Sequence, residues 1–310
     1  MHGNHILVTG GFGNLGSYIA KHLISLNYEV TILTRSKKNK FENLKCRVVE
    51  CDITNLDELK LKLNYDFDYC IHCASFNESF LENYAKSSLD INAFGTRNLI
   101  ESLNIKKLKN FIYLSTFHVY GLSDGVIDEK TLPNPRNDYA STHLFAEFYV
   151  KQFGFNNNLQ YTILRLTNGY GVPSFKNTDK WYLVLNELVK MSFEKEKIVL
   201  SSNGKAKRDM IYMKDAANVV EKLLKVEATN EIYNLSSNKA YEILDLAKKV
   251  QRIFYERYNK RVEIEVNKND FSKSGALSVD NKKLMSIINF KINNEINNEI
   301  NKTFDLLEST

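Results

Sequence analysis

Apolar residues along this chain follow two alternating rhythms. Short runs rich in branched side chains occur at 5–9 and near 29–34, 46–51, 69–73, 110–115 and 160–166. Runs of that length bounded by turn-forming residues read as buried strands. Between them apolar positions recur at helical spacing. In 17–26, for example, Ile19, Ala20, Leu23 and Ile24 share one face. Strand and helix alternate in this way to about residue 166, which predicts an α/β fold: a doubly wound parallel sheet with helices on both faces.

After residue 170 the rhythm loosens. Residues 173–179 read as a loop, 180–193 as a helix, 207–213 as a strand and 215–226 as a helix. A strand at 231–235 fits either part of the chain. A helix at 241–257 and a strand at 262–266 suggest a small C-terminal lobe. The expected organisation is a first domain over 1–170, with 207–235 returning to it, and a smaller interleaved α+β lobe over 171–310. In the tail, Ile292, Ile296 and Ile300 recur every four residues, and Phe304 and Leu307 continue the stripe. That spacing predicts an amphipathic helix laid on the lobe rather than a disordered tail.

Composition narrows the class. The 310 residues are 43% hydrophobic and 25% charged, ordinary for a globular protein. No apolar run reaches the ~18 residues of a membrane span. The first strand begins almost at once, leaving no room for a signal peptide, so a cytoplasmic protein is expected. A net charge of +5 with interleaved acids and lysines argues against a nucleic-acid partner. Cys70 and Cys73 form a CxxC pair, but Cys46 and Cys51 have the wrong spacing for a second zinc pair. Core thiols are the better reading, and no metal is expected.

The first turn carries chemistry. The strand at 5–9 runs into Gly10-Gly-Phe-Gly13-Asn14-Leu15-Gly16, followed directly by a helix. Strand, glycine turn and helix together make a dinucleotide site. Gly10 makes the turn, Gly13 lets the backbone approach a pyrophosphate, and Gly16 lets the helix pack on the strand. The helix N-terminus then offers free N–H groups and a positive dipole end to the phosphates.

The second centre is Tyr139-Ala-Ser-Thr-His143. A tyrosine can act as acid or base in hydride transfer to or from a sugar alcohol, but its ordinary pKa near 10 is too high for a base at neutral pH. A cation four residues along the helix lies on the same face and lowers that value. Lysine would serve; this chain has histidine, which is mostly neutral at pH 7. Three readings stay open. The base is weakened or pH-shifted, the proton chemistry has moved to another group such as His118, or the site binds without catalysis.

These features resemble the extended branch of the short-chain dehydrogenase/reductase superfamily, which acts on nucleotide sugars. Further motifs carry the resemblance over about residues 5–250: Cys51-Asp52-Ile53-Thr54, Ile71-His72-Cys73-Ala74-Ser75, Ile91-Asn92 to Leu99, Leu114-Ser115-Thr116-Phe117-His118-Val119-Tyr120-Gly121, Leu164 to Gly171, and Arg208-Asp209-Met210-Ile211-Tyr212. The resemblance implies a Rossmann-type sheet and catalytic positions at Thr116, Tyr139 and His143, with His118 as a further acid/base candidate. It implies cofactor binding by Gly10, Gly13, Asn14, Leu15, Gly16, Thr34, Arg35, Ser36, Asp52, Ile53, Cys73, Ala74, Asn92, Tyr139 and His143. It implies substrate binding by Phe76, Phe117, His118, Asn168 and Arg208. Trp181, Tyr182 and Phe175 are either stacking or core residues.

The implied cofactor is NAD(P)(H). The usual acidic position at the end of the second strand holds Thr34, and Arg35 and Ser36 can bind a 2′-phosphate, which tilts the choice to NADP(H); the family as a whole favours NAD(H). The implied substrate is a nucleotide-diphosphate sugar, oxidised or reduced at C4 by a 4-ketosugar reductase, a C4 dehydrogenase or a 4-epimerase. In the 4,6-dehydratases of the branch an acid follows the threonine; Phe117 and His118 stand there instead, which argues against dehydration. Surface-polysaccharide synthesis is the implied setting, and a homodimer or higher homo-oligomer is expected through helices near 80–103 and 139–153. A non-catalytic nucleotide-binding sensor or scaffold on the same fold is the alternative.

Overall fold

The computed structural model describes residues 4–36, 41, 44–77, 83–176, 180–273 and 275–309. The end of the loop expected at 173–179 and the start of the helix expected near 80–103 therefore lie outside the described residues. The strands in chain order are β1 (His5–Thr9), β2 (Glu29–Thr34), β3 (Arg47–Glu50), β4 (Tyr69–His72), β5 (Asn110–Thr116), β6 (Gly125–Ile127) and β7 (Tyr161–Leu166). They continue as β8 (Asn168–Tyr170), β9 (Lys197–Leu200), β10 (Lys207–Tyr212), β11 (Glu231–Leu235), β12 (Ala240–Glu242), β13 (Glu263–Val266) and β14 (Leu277–Val279). The helices are α1 (Asn14–Ser25), α2 (Leu56–Lys62), α3 (Tyr84–Ser88), α4 (Gly95–Ser102), α5 (Asp138–Asn157), α6 (Val184–Lys195), α7 (Met213–Leu223), α8 (Ile243–Tyr258), α9 (Lys282–Ile288) and α10 (Ile296–Glu308).

Seven parallel strands form the central sheet in the order β11-β7-β5-β4-β1-β2-β3. This is the Rossmann-type fold expected from the alternating pattern. Alternate residues of each strand feed opposite cores. Ile6, Val8, Ile112 and Leu114 pack toward α1, α7 and α9, while Leu7, Phe111, Tyr113 and Ile163 pack with residues of α2, α4 and α5. The chain reverses its winding between β1 and β4, and such a switch point opens a crevice at the carboxyl ends of the strands. Cys70 joins one core and Cys73 packs against the other, and all four cysteines are free.

The stretch 207–235 divides. Helix α7 packs on α1 and β11 completes the edge of the central sheet, but β10 pairs with β8 and β12 in a separate three-stranded sheet. The strand expected at 207–213 is therefore not a member of the central sheet. A third core gathers α6, α8, α10, β9 and β13. The tail stripe forms α10 from Ile296 onward, with Ile296, Ile300 and Phe304 buried. The helix starts later than the stripe because Asp215 captures Asn293 through its backbone N–H (2.6 Å) and its amide (2.8 Å). Buried Glu299 of α10 accepts hydrogen bonds from Tyr212 (2.9 Å), the Val172 N–H (2.9 Å) and Tyr18 (3.3 Å), which fastens the lobe to α1. No helix among the described residues is long and apolar enough to cross a membrane.

Helix α5 is turned inside out. Its N-cap is Asn137, whose side chain accepts from the Ala140 N–H at 2.9 Å. Its buried residues include Thr142, His143 and Glu147, while Phe145 and Phe148 stand 53% and 54% exposed. Thr142 accepts from Asn92 at 3.0 Å, while His143 and Glu147 are met from the sheet. Arg165 of β7 makes a two-pronged ion pair with Glu147 (Nε to Oε1 3.0 Å, Nη2 to Oε2 2.7 Å), and Ser115 of β5 donates to the same carboxylate at 2.6 Å. Both charges are sealed from water, at 2% and 0% side-chain exposure. Burial works against the Arg165 charge, but the hydrogen bonds and charge of Glu147 outweigh it and hold the guanidinium above its ordinary pKa. Removing one partner leaves an uncompensated buried charge. Glu147→Ala should lower the unfolding free energy by about 3–5 kcal/mol in urea denaturation. A loss below about 1 kcal/mol would show that the pair does not anchor α5.

Candidate active site

The crevice predicted by the strand order is present and encloses about 650 Å³. One end is the turn between β1 and α1. Gly10 sits at φ +63°, and a side chain there would strike the Ala74 backbone at 3.0 Å. A Cβ on Gly16 would stand 2.2 Å from the Gly10 carbonyl oxygen. The close packing assigned to Gly16 is thus a hard steric requirement. Helix α1 has no side-chain N-cap bond and no acid in its first turn, so its leading N–H groups are left for an anion. Both polar atoms of the Asn14 amide are buried here without a protein partner.

The loops around this turn are fixed by a buried relay. Thr9 Oγ1 accepts from the N–H groups of Cys73 (3.2 Å) and Ala74 (3.1 Å) and lies 2.6 Å from His72 Nδ1. Thr96 Oγ1 donates to the Asn92 carbonyl at 2.6 Å and lies 2.9 Å from His72 Nε2. The only consistent proton assignment has Thr9 donating to Nδ1 and Nε2–H donating to Thr96. Burial drops the His72 pKa to about 3, so the ring stays neutral. The Asp52 carboxylate holds the Thr54 N–H (2.9 Å) and hydroxyl (2.8 Å), and Asn98 holds the Ile53 carbonyl (3.2 Å), which shapes the loop after β3. At the end of β2, the Thr34 hydroxyl turns back to donate to the Ser36 carbonyl at 3.0 Å, and Arg35 is exposed at the rim.

The opposite wall carries Thr116, Tyr139, His143 and His118. Thr116 ends β5, and its oxygen accepts from the His118 N–H at 3.2 Å. Tyr139 lies on the first turn of α5, with its ring centroid 4.5 Å from that of His143 and 6.2 Å from that of His118. Burial pushes the Tyr139 pKa up to about 12, and a hydrogen bond with Thr116 offsets part of this. His143 is 2% exposed. Burial, with smaller contributions from His72 and His118, drops its pKa to about 3. Its Nδ1 lies 2.7 Å from the Tyr113 hydroxyl, and its Nε2 has no partner among the described residues. The ring of His118 reaches the cleft and is open to water there; the protein around it, and then the charge of Arg208, lower its pKa to about 4.

Gly10, Gly13, Asn14, Leu15, Gly16, Thr34, Arg35, Ser36, Asp52, Ile53, Cys73, Ala74, Phe76, Thr116, His118, Tyr139, His143 and Asn168 all line this one cleft. Three expected residues do not. The Asn92 amide lies in a π-helical turn (Leu89–Phe94) and is consumed in holding Phe76 (N–H at 2.6 Å, carbonyl at 3.1 Å) and Thr142 (3.0 Å). Asn92 therefore positions the loop that meets the cofactor end. Phe117 is buried in a small core with Val119, Tyr120 and Ile127. Arg208 is half-buried and donates to the Lys207 carbonyl at 3.0 Å.

A glycine cradle that excludes any Cβ, orphaned polar atoms on Asn14 and His143, and a tyrosine bonded to a threonine fit a nicotinamide dinucleotide beside a hydroxyl or ketone substrate. The profile of the NAD dependent epimerase/dehydratase family matches residues 6–236. The chain belongs to that family. It is 30% identical over 249 residues to a Methanocaldococcus jannaschii protein named "Putative UDP-glucose 4-epimerase", covering 78% of this chain and 79% of that one. It is 26% identical over 288 residues to the dTDP-D-glucose 4,6-dehydratase of Bos taurus, covering 84% and 75%. Among solved structures it superposes on the UDP-N-acetylglucosamine 4-epimerase of Methanobrevibacter ruminantium with a TM-score of 0.85 and 22% identity, over 100% and 99% of the two chains. That last likeness is one of fold.

As a member of an NAD-dependent enzyme family, the chain adds cleft residues that its sequence pattern did not single out. Asn77, Lys180, Leu183 and Met213 are among these further lining residues. Tyr182 also faces the cleft and donates to the Asn77 carbonyl at 3.1 Å. Phe175 instead packs with Phe12 and Phe41, and Trp181 donates to the Lys176 carbonyl at 3.1 Å. No local periodicity marks these positions, since loops, a helical turn and a helix start far apart in sequence bring them together.

Proposed function

We propose that this enzyme moves a hydride at C4 of a nucleotide-diphosphate sugar, as a 4-ketosugar reductase, a C4 dehydrogenase or a 4-epimerase. The observation that carries the reading is that Thr116, Tyr139 and His143 share a cleft with the glycine cradle. A bound nicotinamide dinucleotide supplies the hydride donor or acceptor. Tyr139 delivers or takes the hydroxyl proton, Thr116 orients the reacting oxygen, and His143 holds a sugar hydroxyl of the cofactor through Nε2. Relatives named for UDP-glucose make uridine-diphosphate sugars the first substrates to try.

The electrostatics favour reduction as the easier half-reaction. Tyr139 is held protonated far above neutral pH and His143 brings no charge to oppose this, so the acid form is always ready and the base form is scarce. Dehydration needs an acid for the leaving hydroxyl and a base for C5. The positions after Thr116 offer a buried phenylalanine and a histidine, so dehydration is not proposed despite the dehydratase relatives. A cytoplasmic role in surface-polysaccharide sugar synthesis accompanies this reading. A second reading, binding without turnover, draws on the same neutral His143 and is separated by the measurements below.

NAD(H) is the cofactor that the family name implies. Thr34 supplies no carboxylate to repel a 2′-phosphate, and exposed Arg35 at the cleft rim admits NADP(H) as well. We also infer a homodimer. Phe145 and Phe148 on α5 and Phe94 (45% exposed) beside α4 form an apolar face that the chain itself leaves uncovered.

Five outcomes are expected. Tyr139→Phe should lose about 10²–10⁴ of turnover while binding NAD(H) unchanged. Sugar oxidation should rise about tenfold per pH unit between pH 7 and 10 as the phenolate grows, while reduction stays flat. His143→Lys should move the oxidative rise to lower pH. Wild-type protein that binds NAD(H) but transfers no hydride with any nucleotide sugar would favour the binding-only reading. For the cofactor, titration of Arg35→Glu should weaken NADPH binding at least about tenfold relative to NADH; an unchanged ratio would remove Arg35 from the site. For assembly, Phe145→Glu with Phe148→Glu should turn a dimer into a monomer in analytical ultracentrifugation, and an unaltered sedimentation coefficient would place the contact elsewhere.

A further inference from the structure

Buried polar groups must be paired, and the proton count around His143 can be closed. Tyr113 sits in the middle of β5, 1% exposed, on the sheet face that meets α5. Its ring is stacked between two imidazoles, 5.5 Å from His72 of β4 and 5.9 Å from His143 of α5. Among the described residues its hydroxyl has one partner, His143 Nδ1, at 2.7 Å. Burial keeps that hydroxyl protonated, far above the ordinary tyrosine pKa, and keeps His143 neutral. One proton is therefore shared between the two imidazole nitrogens.

If Nδ1 carried it, the Tyr113 proton would have no acceptor, and Nε2 would be a bare lone pair. If Nε2 carries it, the Tyr113 hydroxyl donates to Nδ1 and is satisfied, and a single N–H remains. That N–H belongs to the buried atom with no protein partner, on a residue that lines the cleft. A buried donor left unpaired is costly, and an oxygen placed in the cleft, from a ligand or from water, can accept from it. His72 fixes its own tautomer in the same way through Thr9 and Thr96, so two neighbouring imidazoles are set by hydroxyls from the sheet.

We propose that Tyr113 is a positioning residue that locks His143 in the Nε2–H tautomer, so that a neutral imidazole presents the donor a lysine would otherwise bring to a sugar hydroxyl of the dinucleotide. This deepens the reading of the cleft as a dinucleotide site and rests on it for the identity of the acceptor. The tautomer itself is a property of the protein alone.

The test is nitrogen NMR on protein labelled with ¹⁵N-histidine, without nucleotide, with the His143 signals assigned by their loss in His143→Lys. A protonated Nε2 and an unprotonated Nδ1 are expected, and Tyr113→Phe, which keeps the ring, should move both shifts toward averaged values. An Nδ1–H signal in the wild type, or shifts that Tyr113→Phe leaves in place, would overturn the proposal. The companion measurement is the NADH dissociation constant. Tyr113→Phe should weaken it roughly tenfold in the His143 background and less than about twofold in the His143→Lys background. Equal weakening in both backgrounds would mark Tyr113 as merely structural and sink the proposal. If NADH binds none of these proteins while the tautomer behaves as expected, the dinucleotide reading fails, and with it the acceptor named here.

Discussion

The ion pair between Glu147 and Arg165 is the fixed point of this molecule. It ties α5 to β7, and through Ser115 to β5, at the end of the sheet where the cleft opens. A buried pair of charges gains little net stability over apolar packing, but it tolerates almost no displacement. A two-pronged guanidinium–carboxylate contact also fixes rotation as well as distance. That matters because Glu147 lies one turn beyond His143 and two turns beyond Tyr139 on the same helix. Sliding or turning α5 to move Tyr139 relative to Thr116 would break the pair. The chemistry at the helix start is held in register by charge chemistry deeper in the core.

The inverted character of α5 follows from this arrangement. An ordinary helix on a sheet buries an apolar stripe and shows polar residues to water. Here the buried stripe carries Thr142, His143 and Glu147, and each finds a partner on the sheet or in the π-helical turn. The aromatic residues are displaced outward, to Phe145 and Phe148. One sequence choice thus has two consequences. Polar groups can reach the cleft from a rigid helix, and an apolar surface is left to be covered from outside.

Legibility in the sequence tracked how local each cause is. The central strands were readable because a buried parallel strand is a short unbroken apolar run, and the glycine cradle because Gly10, Gly13 and Gly16 answer steric demands within a few residues. The tail stripe announced α10, though not its start, since the Asn293–Asp215 contact that ends the preceding loop joins residues 78 apart. The pairing of β10 with β8 and β12 could not be read, because a strand's own pattern does not name its neighbours. The roles of Asn92, Phe117 and Arg208 slipped for a related reason. Their residue types suit a ligand, but a π-helical turn, a tight turn after β5 and a bond back to the Lys207 carbonyl hold the side chains elsewhere. Tyr113 gave no signal at all. It reads as one more aromatic in a buried strand until its hydroxyl is found against an imidazole.

The histidine at position 143 then becomes intelligible as a matter of surroundings. A lysine here would carry a permanent charge into a wall already lined by His72, Tyr113 and Tyr139, and would need solvent or a carboxylate to support it. The carboxylate one helical turn on, of Glu147, is already committed to Arg165. An imidazole avoids the problem by being neutral, and its stacked, hydroxyl-backed position lets it keep a directed N–H. What it gives up is the electrostatic pull that would make Tyr139 a stronger acid. On the proposed function, the two tasks that one cation would combine, holding a sugar hydroxyl and lowering a phenol's pKa, would be separated in this chain, the first left to the His143 N–H and the second to Thr116 and to pH. Tyr139 stays protonated and His143 neutral at neutral pH, and both states come from the burial of two rings rather than from any change in the fold.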